Sequence, residues 1–153
     1  MDEVKRAFRN CSLVAGLIIG GMQLTACQRL EGTQKAESPS VVKHIEGSEL
    51  SLVTLTAKAI ERIALKTDEV REQKGTRSAA VRRAVPYSSL IYDAQGATWV
   101  YTSPEPRTFV RHKVDVDYIE GKTAFLTDGP PAGTVVASIG VAELYGTEFG
   151  VGH

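Results

Sequence analysis

The alternation of apolar and polar positions divides the chain into three stretches. The first holds one short apolar run, over 13–22, set between Lys5, Arg6 and Arg9 and the small residues ahead of Cys27. In the second, from Gln28 to about Gly47, Glu, Gln, Thr, Lys, Ser and Pro39 follow one another with little periodicity. Such a composition cannot bury enough apolar surface to offset the entropy of ordering, and 27–47 reads as a disordered tether. The third, 48–153, carries apolar segments at short intervals with turn residues in nearly every gap, which predicts a single small domain of many short strands.

Within that domain the elements follow one by one. A strand is predicted over 50–55, after which Thr56 caps a helix over 57–64 that turns Ile60 and Ile63 to one face. A weaker strand over 65–71 ends at Gln73-Lys74-Gly75-Thr76. Strands over 85–92 and 98–102 flank the turn Asp93-Ala94-Gln95-Gly96 and predict a hairpin, and Pro104-Glu105-Pro106 predicts a rigid loop. Val110, His112, Val114, Val116 and Tyr118 then alternate with Arg111, Lys113, Asp115 and Asp117, so the first set is expected inside and the second in water. Glu120-Gly121-Lys122 turns into a strand over 123–127, and a final strand over 134–139 follows the loop 128–133. Gly140 permits a reversal before a helical turn at Ala142-Glu143-Leu144-Tyr145, and the tail 146–153 has little to bury. The fold class expected is mainly β: a small antiparallel domain, a partly closed barrel or sandwich, with one short helix.

The first stretch changes where this domain belongs. Basic residues, an apolar run about half the length needed to span a bilayer, and Leu24-Thr25-Ala26 directly before Cys27 are similar to a bacterial lipoprotein signal with its lipobox. On that reading 1–26 is removed and Cys27 carries lipid, with the domain on the periplasmic side of the cell envelope. Cleavage would discard Cys11 as well, leaving one cysteine and no intramolecular disulfide. The residue after the cysteine is Gln28 rather than the aspartate that retains enteric lipoproteins at the inner membrane, so the choice of membrane stays open.

Charge and candidate chemistry remove options rather than add them. The full chain has 18 basic and 18 acidic residues, and losing Lys5, Arg6 and Arg9 with Asp2 and Glu3 leaves 15 against 16. Arg82-Arg83 and the group Arg71, Lys74 and Arg77 therefore read as a solvated face rather than a nucleic-acid site. His44, His112 and His153 have no metal-ligand spacing, and His112 falls on the apolar face as a hydrogen-bonded core residue. Asp115 and Asp117 share the wet face of a strand. Both methionines, Met1 and Met22, lie in the signal, which removes a methionine-based copper site from the mature domain. Trp99, Tyr87, Tyr92, Tyr101, Phe109 and Phe125 read as core and rim. No nucleophile elbow, phosphate-cradling loop or dinucleotide fingerprint is present, so no catalytic residue, metal or cofactor is expected, and the chain reads as a non-enzyme.

One segment goes further. Val85-Pro86-Tyr87-Ser88-Ser89-Leu90-Ile91-Tyr92-Asp93, followed by Gly96 and Thr98-Trp99-Val100-Tyr101, resembles the stretch in which periplasmic adaptor subunits (membrane fusion proteins) of RND-type efflux pumps leave their barrel domain and enter their membrane-proximal domain. Phe109-Val110-Arg111 with Val114, Ile119-Glu120-Gly121, and Gly129 with Ala132-Gly133-Thr134-Val135-Val136 continue the likeness. Gly140-Val141-Ala142-Glu143-Leu144-Tyr145-Gly146 is similar to the family's ending, and Val53-Thr54-Leu55-Thr56 with Ala59, Ile60, Ile63 and Leu65-Lys66-Thr67 to its strand-helix-strand entry. Between these ends the family carries a lipoyl-like domain split by a long helical hairpin. Here only about Glu72 to Ala84 intervenes, and Gly129-Pro130-Pro131 replaces the usual glycine-leucine.

The resemblance implies a lipid-anchored, adaptor-like subunit of an RND-type efflux transporter that lacks the channel-reaching part. Its partner would be the transporter at the inner membrane, met through Tyr101 and Phe109 as contact candidates. The alternative, from another class, is an independent cell-envelope lipoprotein domain that binds an unidentified ligand.

Overall fold

The computed structural model describes residues 38–151; Cys11, the lipobox Leu24, Thr25 and Ala26, Cys27 and His153 lie outside the described residues. Thirteen elements follow in order: β1 (Ser40–His44), β2 (Ser51–Leu55), α1 (Ala57–Arg62), β3 (Lys66–Glu69), β4 (Arg71–Lys74), β5 (Val81–Pro86), a 3-10 turn (Tyr87–Ser89), β6 (Ile91–Tyr92), β7 (Thr98–Glu105), β8 (Thr108–Glu120), β9 (Thr123–Asp128), β10 (Val135–Ile139) and α2 (Val141–Phe149). Every strand pairing is antiparallel. The mainly β, antiparallel fold expected from the spacing of apolar segments is what the chain adopts.

Chain continuity curls the sheet. The main path runs β3-β10-β7-β8-β9-β5-β4, with β2 added to β8, β1 to β2 and β6 to β7. Its two edge strands, β3 and β4, are consecutive in the chain and separated only by Val70. A path whose ends are one residue apart must bend until its edges approach, which makes the half-barrel. Val70 is 1 % exposed; its N–H donates to Thr134 O at 2.9 Å and its carbonyl accepts from Gly133 N at 2.8 Å.

Two cores form on opposite faces of this sheet. Val70, Val85, Val100, Val114, Ala124, Leu126 and Val136 fill the inside of the curl. On the other face Val53, Leu55, Ala59, Tyr101, Phe109, Ala137, Val141 and Leu144 pack beneath the helices. Successive strand residues point to opposite faces, so Val100 and Tyr101, or Val136 and Ala137, serve different cores. That double burial explains the almost continuous apolar run Trp99-Val100-Tyr101 in β7.

Several sequence expectations hold in place but change in extent. Thr56 caps α1, its Oγ1 accepting from Ala59 N at 3.2 Å, and α1 stops at Arg62 because Ala64 takes a positive φ of 49°. The turn at Asp93 closes as expected, with Asp93 Oδ1 accepting from Gln95 N and Ala97 N. The strand expected over 85–92 is instead three pieces: Val85 and Pro86 end β5, a 3-10 turn follows, and only Ile91 and Tyr92 pair with β7. Pro86 lacks the N–H that would continue the ladder and leads the chain out of it. Pro104 and Glu105, expected in a loop, extend β7 past a register shift, leaving a two-residue connection at Pro106 and Arg107.

Three expectations are corrected outright. The tether was expected to reach Gly47, yet Ser40–His44 form β1 along β2, because the exposed edge of β2 offers unpaired backbone groups that a β-branched Val41-Val42 pair can satisfy. The tail expected to bury little is helical through Phe149, with Gly146 inside α2 and Gly150 ending it at φ 65°. The burial phase of β8 is also reversed at one point: Arg111 is buried and His112 is exposed. β2 pairs with β8 only at Thr108 and Phe109, and β9 joins only from Asp115, so His112 and Lys113 lie where one flank of β8 has no neighbouring strand. Arg111 projects to the opposite face, where α2 covers it.

Candidate functional site

The densest polar arrangement among the described residues is the one that buries Arg111. Gly140, at φ 81°, lets the chain reverse out of β10 into α2; a Cβ there would stand 3.3 Å from the Leu65 backbone, so the position favours glycine twice over. Val141 and Leu144 fix the helix on the core, and two turns on Glu148 reaches Arg111. Arg111 Nε donates to both Glu148 oxygens at 3.0 and 2.9 Å, Tyr101 Oη donates to Oε2 at 2.6 Å, and Arg111 Nη2 donates to Glu49 O at 3.3 Å. The guanidinium lies between the rings of Trp99 and Phe149, 4.7 and 4.9 Å from their centroids. Trp99 in turn donates to Asp93 Oδ2 at 2.8 Å, tying the β6–β7 turn to the same network.

Electrostatics follow from this packing. Burial, and then the hydrogen bond to Glu148, pushes the Tyr101 phenol far above its ordinary range, so it remains a donor to the carboxylate. The bond from Trp99 lowers the Asp93 carboxyl below its usual value. The side chains of Arg111 and Glu148 are 6 % and 2 % exposed. Groups this sealed cannot meet a solute, and Arg111 Nε and Nη2, Tyr101 Oη and Trp99 Nε1 each have an acceptor. The arrangement anchors α2; it has no nucleophile and base aimed at a shared space.

The residues singled out from the sequence are dispersed. Tyr101 and Phe109, expected as partner contacts, are 0 % and 2 % exposed and belong to the helix-side core, so a docking partner cannot reach them. The alternation of β7 and β8 conceals this, since both faces are covered where those two side chains sit. His44 and His112 are exposed on separate strands, and no cluster of three His, Cys, Asp or Glu exists among the described residues. Asp117 pairs with Arg82 at 3.2 Å and Asp128 with Arg83 at 3.2 Å, while Arg83 also donates to Gly129 O; Arg71 pairs with Asp68 at 2.8 Å. The basic residues of β4 and β5 are thus largely neutralised on a solvated face. No helix among the described residues is long and apolar enough to cross a membrane.

One exposed apolar surface, by contrast, has no marker in the sequence pattern. Tyr92 and Ile139, 52 % and 45 % exposed, border an open groove of about 480 Å3 that Leu90, Ile91, Val141 and Ala142 help to line. β6 and the β10–α2 junction are far apart in sequence and meet only through their shared sheet, so no local motif marks the groove. A signal was present in Tyr92 and Ile139 themselves: large apolar residues at the ends of their strands, where burial is least complete.

No protein-family model matches the chain, and comparison with curated proteins and with solved structures finds no match either.

Proposed function

We propose that this chain is a non-enzymatic, lipid-anchored subunit of the cell envelope that docks on an RND-type efflux transporter as a shortened adaptor. Anchoring is through Cys27, and the contact is through the groove bordered by Tyr92 and Ile139 rather than through the buried Tyr101 and Phe109. The observation that carries the reading lies at the point where the resemblance demands an insertion. There β4 and β5 pair directly, Arg71 with Ala84 through Lys74 with Val81, across a loop of six residues, 75–80. The module is closed without a lipoyl or helical-hairpin part, as a shortened adaptor requires. Exposed large apolar residues at the rim of a groove fit a protein partner better than bulk water.

The test is in-cell photocrosslinking from Tyr92 or Ile139, with mass spectrometry of the mature chain. A large inner-membrane transporter joined to the protein, and a lipid-modified Cys27 at the N-terminus, are the expected results. Absence of any transporter, under conditions in which a full-length adaptor is captured by its own, removes the docking reading. In that case a ligand-dependent rise in melting temperature would favour an independent binding domain.

A further inference from the structure

We propose that the end of the domain where the tether departs lies against an anionic lipid surface, with Arg107 and Lys66 as its contacts; this rests on the reading of Cys27 as the lipid-bearing residue. The geometry starts with the first described residues. Pro39 O accepts from Thr56 N at 3.0 Å, and Arg107 O accepts from Leu55 N at 2.9 Å. Ser38 therefore leaves the domain beside the start of α1 and the connection between β7 and β8. Ten residues, 28–37, separate it from Cys27, and ten residues reach at most about 36 Å even when fully extended. A lipid on Cys27 keeps the tether exit within about that distance of the bilayer.

Arg107 is the unusual residue at that end. It follows Pro106 with φ 64°, a left-handed backbone where glycine is favoured because a Cβ is strained. Its backbone role, the carbonyl bond to Leu55, needs only that φ. Glycine would supply it without strain, so the arginine side chain has no structural reason to be there. That side chain is exposed, and it makes no ion pair or hydrogen bond among the described residues. Strain kept at an exposed, unpaired charge points to something outside the fold.

Its surroundings fit a lipid headgroup layer. Arg107 and Lys66 flank a groove whose apolar lining includes Ile60, Leu65, Pro106 and Val135. Lys58 and Arg62, one turn apart on α1, are exposed and likewise outside every ion pair among the described residues. Over 56–66 and 103–107 there are four basic residues, Lys58, Arg62, Lys66 and Arg107, against two acidic ones, Glu61 and Glu105. Most of the other arginines in the β region are neutralised by carboxylates, so this local excess is not a general property of the surface. Basic residues around an apolar depression are what an anionic interface attracts, at about fivefold in affinity per residue near the surface.

The experiment uses the intact lipoprotein reconstituted into vesicles of phosphatidylcholine with roughly one-third phosphatidylglycerol, and into vesicles of phosphatidylcholine alone. A fluorophore is placed on Ala57→Cys, beside the tether exit, or on Gln95→Cys in the turn at the far end of β7. Eight residues of strand, Thr98–Glu105, put these ends about 26 Å apart. Brominated lipids should quench the label at 57 in anionic vesicles, much less in neutral ones, and hardly at all at 95. Arg107→Gly should shift the docked-to-free ratio about fivefold towards free, and Arg107→Gly with Lys66→Gln about 25-fold, while the melting temperature of Arg107→Gly stays equal or rises. Equal quenching at 57 in both lipids, or none while the protein remains vesicle-bound, overturns the proposal and leaves the anchor standing. Protein that stays in the aqueous phase with an unmodified Cys27 overturns both.

Discussion

Removing the Glu148 carboxylate is the sharpest test of what holds α2 in place. In Glu148→Ala the Arg111 guanidinium, 6 % exposed, keeps its charge but loses the carboxylate it is paired with, and Tyr101 Oη loses its acceptor. Leaving one partner of a buried pair uncompensated costs about 3–5 kcal/mol. The chain has one escape: α2 can detach and let water reach Arg111. Detachment exposes Val141 and Leu144, both buried in the helix-side core, at about 1.5–3 kcal/mol each. The two routes thus cost about the same, so the loss is several kcal/mol whichever is taken. For a domain of this size a change of about 1 kcal/mol moves the melting temperature by about 4 °C, which gives a drop of roughly 12–20 °C. Differential scanning calorimetry and hydrogen exchange of the α2 amides read the two routes separately. A double variant, Arg111→Met with Glu148→Leu, should recover most of the loss, because a well-packed apolar pair has no charge left to desolvate. A loss below about 1 kcal/mol in Glu148→Ala, with α2 protection unchanged, would refute the anchoring argument.

Other outcomes follow from the same contacts. The Tyr101 phenol is raised in the fold above its unfolded value of about 10, so its contribution is intact below that pH and lost as pH climbs above it; alkaline melts should show a slope that Tyr101→Phe flattens, with a cost near neutrality of about 1.5–3 kcal/mol for the bond to Glu148. Asp93 shifts the other way: its contribution is present above the ordinary carboxylate value and lost as pH falls through the lower folded one, so acid titration followed by Trp99 fluorescence should loosen the β6–β7 turn, and Asp93→Asn should remove that transition. Thr56→Ala removes the α1 cap and should lower stability by about 1 kcal/mol in chemical denaturation, with Thr56→Ser restoring it.

The parts legible in the sequence are those where one residue's chemistry decides a local structure. Thr56 announces a cap, Asp93 and Gly96 a turn, and Val114, Val116 and Tyr118 a one-sided strand, and each is found. What escaped is decided by neighbours distant in sequence. Arg111 reads as solvated because nothing nearby says that Glu148, 37 positions on, will cover it. Gly146 opens a tail that reads as having little to bury, and by propensity it costs a helix about 1 kcal/mol against alanine; α2 continues through it because Glu148 and Phe149 beyond it find Arg111. β1 is nearly all exposed and has no apolar stripe to reveal it, since its backbone bonds to β2 make the element. The contact candidates Tyr101 and Phe109 failed for the related reason that aromatic residues on a strand look alike whether they face a partner or a second core.

The two cores are closed by different means, and that sets the order in which they should open. Inside the curl, Val70 joins the two edges of the sheet covalently, so the barrel-side core cannot open without breaking a ladder of the sheet, β3 from β10 or β4 from β5. The helix-side core is covered by α1 of six residues and α2 of nine. Helices this short have almost no stability of their own in water, below the roughly 12 residues at which isolated helices become marginal. Their docking rests on a few side chains, and the Arg111–Glu148 pair holds the far end of α2 in register. Partial opening should therefore begin at α2 and spare the curl. Native-state hydrogen exchange should find the amides of α2 opening well below the global unfolding free energy, and those of Val100, Val114 and Val136 opening only with it. The groove bordered by Tyr92 and Ile139 runs along the start of α2, so a partner seated there would raise α2 protection selectively. Exchange of α2 and of the curl at one common free energy would show a single cooperative unit and would remove the helix-side core as the labile face.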